Sequence, residues 1–166
     1  TDLSGRIEAQ ETVLGFGLSE ARSNFNALPN VPIELDRIVL EGADDQDGIF
    51  NGSGFLNHEF TFSALERSLS QHKILHLATH GEFVPGRPDE SYLLLGDGNT
   101  LSPIQIDDLV DLYNYDMVVL SACETALGGP DNDGIEIAGL AYHFLTADRA
   151  DTVVASLWKV NDASTS

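Results

Sequence analysis

Apolar residues fall into short runs punctuated by turn-forming residues, and two spacings alternate along the chain. Val13-Leu14-Gly15-Phe16, Ile74-Leu75-His76-Leu77-Ala78, Met117-Val118-Val119-Leu120 and Thr152-Val153-Val154-Ala155-Ser156-Leu157-Trp158 are nearly continuous apolar runs, as in strands buried on both faces. Helical spacing lies between them. Residues 31–40 read as a helix, with Pro32 in a plausible first turn and Ile33, Leu35, Ile38 and Val39 on an apolar face. Phe62, Leu65 and Leu69 keep helical spacing up to the run that ends at His80, and Ser63 followed by Glu66 makes a capping-box pattern. Ser102-Pro103 opens a helix through Leu112, and Ile137, Leu140, Ala141, Phe144 and Leu145 share one face of a later one. Strands alternating with helices predict a mainly parallel sheet covered on both faces, an α/β fold.

The connections are read from their turn residues. Residues 43–54 are rich in Asp, Gly, Asn and Ser, which predicts an exposed loop or a short strand between turns, and Ile49-Phe50 reads as a short strand. Tyr92-Leu93-Leu94-Leu95 followed by Gly96-Asp97-Gly98-Asn99 predicts a small extended excursion and a turn. Residues 82–91 hold two prolines and a glycine, and read as a loop directly after His80-Gly81. Residues 124–134 form a glycine-rich, acidic loop. Within it Asp131-Asn132-Asp133-Gly134 lacks the spacing and final glutamate of a calcium loop, so helix capping is its expected role.

Charge narrows the function classes. Eight lysines and arginines stand against twenty-seven aspartates and glutamates, a formal net charge of −19, which repels nucleic acid and anionic membranes and favours cationic partners. A hydrophobic share of 42% with 21% charged residues over 166 residues fits one globular domain. The single cysteine forms no internal disulfide, and no apolar run is long enough to span a bilayer, so a reducing, cytoplasmic setting is expected.

Candidate chemistry lies at the ends of two apolar runs. Ile74-Leu75-His76-Leu77-Ala78-Thr79-His80-Gly81 ends in histidine-glycine, and Met117-Val118-Val119-Leu120-Ser121-Ala122-Cys123 ends in the lone cysteine. A thiolate attacks a carbonyl where a thiol does not, and a nearby imidazole forms the ion pair that supplies it. His80 is therefore the expected base and Cys123 the expected nucleophile, at the strand ends where parallel sheets place a ligand crevice. The backbone N–H groups of Gly81 and Cys123 are the expected oxyanion hole. Plainer readings exist for each residue: a lone cysteine packs as a small buried hydrophobe, and His76 reads as a satisfied polar residue among apolar neighbours. A zinc site on His76 and His80 fails because the segment reads as a strand and position 77 is leucine, so no metal is assigned. Gly15-Phe16-Gly17 lacks the third glycine of a dinucleotide fingerprint, and no cofactor is assigned.

Three segments occur in an order that resembles a CHAT domain: His76-Leu77-Ala78-Thr79-His80-Gly81, then Leu120-Ser121-Ala122-Cys123-Glu124-Thr125-Ala126-Leu127-Gly128-Gly129, then Ala155-Ser156-Leu157-Trp158-Lys159-Val160-Asn161-Asp162. The resemblance extends in weaker form from about Val13 onward. It implies a caspase-like three-layer sandwich related to caspases, separases and metacaspases, and a histidine-cysteine dyad carried onto His80 and Cys123 without a third carboxylate. The family is found in bacteria, cyanobacteria especially, joined to tetratricopeptide repeats, which are thus the implied companions in a parent protein. CHAT domains usually continue beyond the Ser-Leu-Trp strand, and Thr1 is not methionine. The chain is therefore expected to be a single domain, 1–166, that lacks C-terminal elements of a longer protein.

Two functions from different classes follow. One is a cysteine endopeptidase cutting protein substrates after a basic residue. Related peptidases of that preference place carboxylates near the nucleophile, so Glu124 is its expected substrate-binding residue, with Ser156 and Trp158 beside the crevice. Glu124 reads equally as a salt-bridge partner, and Trp158 equally as core packing. The other is a catalytically silent caspase-like module that binds a partner through the same crevice or the acidic surface.

Overall fold

The protein is described from a computed structural model, for residues 12–22, 24–42, 44–82, 84, 87–124, 135–146 and 150–155. Six strands run parallel, in the spatial order β2 (Val39–Leu40), β3 (Phe50–Leu56), β1 (Val13–Gly17), β4 (Ile74–Glu82), β7 (Tyr115–Glu124), β8 (Ala150–Ala155). β5 (Tyr92–Leu94) and β6 (Thr100–Leu101) form an antiparallel excursion that pairs with the end of β4 at Gly81 and Glu82. The Thr79 hydroxyl anchors it by donating to the Leu94 carbonyl at 2.6 Å. The turn between β5 and β6 closes where Leu95 N–H donates to the Asn99 carbonyl at 2.8 Å, with Gly98 at φ +89°.

Side chains alternate between the two faces of each strand, and parallel partners share a face. One face carries Leu14, Phe16, Leu75, Leu77, Val118 and Leu120, all buried, in one cluster with Leu65 of α2 (Phe62–Ser68), Ile106 of α3 (Pro103–Asp107), and Leu140 and Phe144 of α4 (Ile135–Leu145). Phe16 is packed between Phe55 and Phe60, at ring separations of 4.9 Å and 5.0 Å. On the other face Gly15 and Gly17 of β1 lie under Val31 and Leu35 of α1 (Val31–Ile38). Helices on both sides of a mostly parallel sheet make this a three-layer α/β architecture, consistent with a caspase-like fold.

Several expectations need correction. The helix predicted over 31–40 ends at Ile38, and Val39 and Leu40 turn into β2. Ile33, expected on its apolar face, is 45% exposed, because α1 buries only the stripe of Val31 and Leu35. The expected capping box at Ser63 and Glu66 does not start α2; Thr61 does, accepting from the Ala64 N–H at 3.1 Å. The helix predicted from Ser102 to Leu112 divides into α3 and a 3₁₀ turn at Val110–Asn114, although the capping box between Ser102 and Gln105 forms. Leu145, expected on the buried face of its helix, is 44% exposed.

Of the two readings of residues 43–54 the strand holds in part: turn-like residues form β3, longer than expected at seven residues, beside β1. A methyl group at Gly52 would run into the Val13 carbonyl oxygen, so the absence of a side chain is what permits the pairing. Gly52→Ala should therefore destabilise the fold by about 1–3 kcal/mol in chemical denaturation. Gly42→Ala should stay within about 0.5 kcal/mol of the parent, since a methyl group there meets nothing within 4 Å. Equal behaviour of the two variants would contradict the close approach of β1 and β3.

Candidate functional site

The pairing of β4 with β7 runs in unbroken parallel register from Ile74 opposite Met117 to Gly81 opposite Glu124, and in it His80 stands opposite Cys123. Directly paired residues on neighbouring strands are about 5 Å apart between backbones and share a face of the sheet. Positions 80 and 123 are thus adjacent, near the C-terminal ends of two central strands. Gly81 pairs on both sides, with Leu93 of β5 and with Glu124 of β7, which makes it a three-strand junction next to the candidate dyad. Glu124 closes β7, whereas Ser156 and Trp158 lie outside the described residues.

His80 is held from the loop after β1. Its Nε2 lies 2.7 Å from the backbone carbonyl of Asn26, and a carbonyl only accepts, so Nε2 carries the hydrogen. In the neutral ring the lone pair is then on Nδ1, the nitrogen that would take a proton. Phe25 covers the imidazole, its ring centred 4.9 Å away at 33°. Arg22 and Phe25 close a small turn through paired backbone hydrogen bonds of 3.2 Å and 2.8 Å, which fixes the approach of Asn26. With these neighbours His80 is only 1% exposed.

His76 shares the sheet face of His80 and is a satisfied polar residue, as expected. Its partner could not be read from sequence: Nε2 lies 2.8 Å from Oε1 of Glu34, on α1. Burial would raise the Glu34 pKa, but the hydrogen bond and charge of His76, with a hydrogen bond from Ser121, outweigh it and hold the carboxyl below its ordinary value. At the end of β4, the Tyr92 hydroxyl donates to Glu82 at 2.6 Å. Burial, that hydrogen bond and the Glu82 charge together push the phenol up to about 12.

Among the described residues no group of three or more His, Cys, Asp or Glu side chains is placed to hold a metal ion. No helix among them is long and apolar enough to cross a membrane. The acidic hollow lined by Asp36, Glu41, Asp45 and Glu59 opens beside α1 and β3. Its lining includes neither His80 nor Cys123.

Comparison with known families matches residues 2–166 to the CHAT domain, well before Val13, where the resemblance first becomes legible. The chain belongs to the CHAT domain family. CHAT domains are caspase-like, in keeping with the parallel sheet and its helical layers. No curated protein matches the chain.

Glu34 gives this CHAT domain a pH signature. A carboxyl whose folded pKa is depressed adds stability that is present above the unfolded value, 4.5 for glutamate, and is lost as the pH falls through the folded one. The stability difference between the parent and Glu34→Gln should therefore be largest above pH 4.5 and shrink in more acidic buffer. Denaturation curves over an acid pH series measure it, and a difference constant with pH would contradict the pairing.

Proposed function

We propose that this CHAT domain is a cysteine endopeptidase in which His80 is the base and Cys123 the nucleophile. The observation that carries the reading is their direct opposition in the β4–β7 register. His80 draws the thiol proton onto Nδ1, and the thiolate attacks the substrate carbonyl to give a tetrahedral oxyanion. The N–H groups of Gly81 and Cys123 are proposed to hold that oxyanion. Collapse expels the amine, which takes the proton from His80, and leaves a thioester that water hydrolyses. The Asn26 carbonyl supports the chemistry by accepting the Nε2 hydrogen, and it stabilises the imidazolium without a carboxylate.

The substrate is proposed to be a protein cut after a basic residue, read by Glu124 in a chain of net charge −19, with Ser156 and Trp158 lining the crevice. Tetratricopeptide repeats in the parent protein are the proposed companions, a proposal that rests on the family alone. A second reading, the catalytically silent interaction module, is favoured by one observation. His80 is 1% exposed beneath Phe25, so a substrate reaches the imidazole by way of position 123 or after Phe25 turns aside.

Alkylating peptides distinguish the two readings, because the chain has one cysteine and the label has one destination. An arginyl chloromethyl ketone should label Cys123 faster than an aspartyl one, and His80→Ala should slow labelling by about a hundredfold or more. Equal rates for the parent and His80→Ala, both matching a small free thiol, would remove the peptidase reading. A faster aspartyl reagent would overturn the basic preference alone.

A further inference from the structure

The reaction described above leaves unused a carboxylate that lies beside the dyad. Towards the C-terminal edge, successive pairs on this face of β4 and β7 are His76 with Val119, Ala78 with Ser121, and His80 with Cys123. Neighbours on one face of a strand are two residues apart, about 7 Å. Glu34 meets His76 of β4 at 2.8 Å, so its carboxylate is fixed to the sheet face that carries positions 80 and 123. The same stretch of chain also reaches His80. Val31, at the start of α1, packs with Leu28 onto Ala78, whose small side chain separates His76 from His80. A few residues earlier, Asn26 supplies the carbonyl that fixes the His80 imidazole.

We propose that Glu34 is a positioning residue of the dyad: by pairing with His76 it fixes where α1 begins on the sheet. Through residues 26–31 it thereby sets the Asn26 carbonyl that holds His80 as the Nε2–H tautomer. The role in catalysis rests on the peptidase reading, but the geometric claim does not. A carboxylate accepts from the His76 Nε2–H with full charge, whereas glutamine offers one neutral oxygen and an N–H₂ group from which that nitrogen cannot accept. Glu34→Gln should loosen the start of α1 while leaving its hydrophobic stripe intact.

The test compares Glu34→Gln with Leu35→Ala, which opens a cavity at a 4% exposed position of the same helix without touching the polar bridge. Two readouts are used on the full chain: imidazole nitrogen resonances of His80, and the pH profile of Cys123 alkylation by iodoacetamide. Glu34→Gln should lose the Nε2–H signature and slow alkylation near neutral pH by about tenfold or more. Leu35→Ala should keep both, even where its melting temperature falls further. An unchanged His80 spectrum in Glu34→Gln, or equal disturbance by Leu35→Ala, would overturn the proposal. If Glu34→Gln does not fold, His76→Gln, which keeps a neutral donor opposite Glu34, should shift both readouts in the same direction by a smaller factor; no shift would count against the pairing. Should the parent thiol react like a free thiol, the peptidase reading falls, while the His80 spectra still decide the positioning claim.

Discussion

The parallel pairing of β4 and β7 is the constraint on which the rest of the structure depends. A slip of one residue would turn every side chain of β7 to the opposite face and part position 123 from His80. The slip is blocked by the main core, into which Leu75, Leu77, Val118 and Leu120 are locked. On the other face Glu34 pairs with His76 and ties α1 to β4. Burial supplies most of the free energy, and the charged group fixes the placement of α1, because a carboxylate in a poorly hydrated place tolerates few alternative partners.

The same arrangement accounts for how His80 is held. An imidazole near the end of a buried strand needs a hydrogen-bond partner, and Asn26 provides one through its backbone, so the identity of residue 26 is not what matters. Phe25 then closes over the ring. The cost is access: a base so thoroughly enclosed is well oriented and poorly exposed, and reactivity depends on the freedom of the segment that covers it.

Much of the architecture was legible in the residues. The continuous apolar runs at β1, β4 and β7 are strands because a central parallel strand is buried on both faces and needs no polar side. β8, expected to be buried, instead pairs only with β7 among the described residues, with Val154 49% exposed. His80 and Cys123 could be matched because each follows such a run at the same distance from its start, and equal lengths translate directly into register. Other features were hidden for physical reasons. The full length of β3 was obscured because Gly52, which signals a turn, is there for its close approach to Val13 of β1, and Gly54 for its closeness to Glu41. Thr61 displaced Ser63 as the helix cap because the chain enters α2 two residues earlier than the pattern suggested. Asn26 left no signal, since any residue offers a carbonyl. Glu34 carried no signal of its own in the sequence, and only the packing of α1 on β4 shows it meeting His76.

The central claim is that imidazole 80 and thiol 123 form one chemical unit, and the ultraviolet absorbance of the thiolate tests it most directly, since one cysteine makes the signal unambiguous. Titrated in the folded protein, the thiol should ionise well below the ordinary value of about 8.5 and return towards it in His80→Ala. An ordinary or raised value in both proteins would show that the two groups, though neighbours in the sheet, do not act on each other.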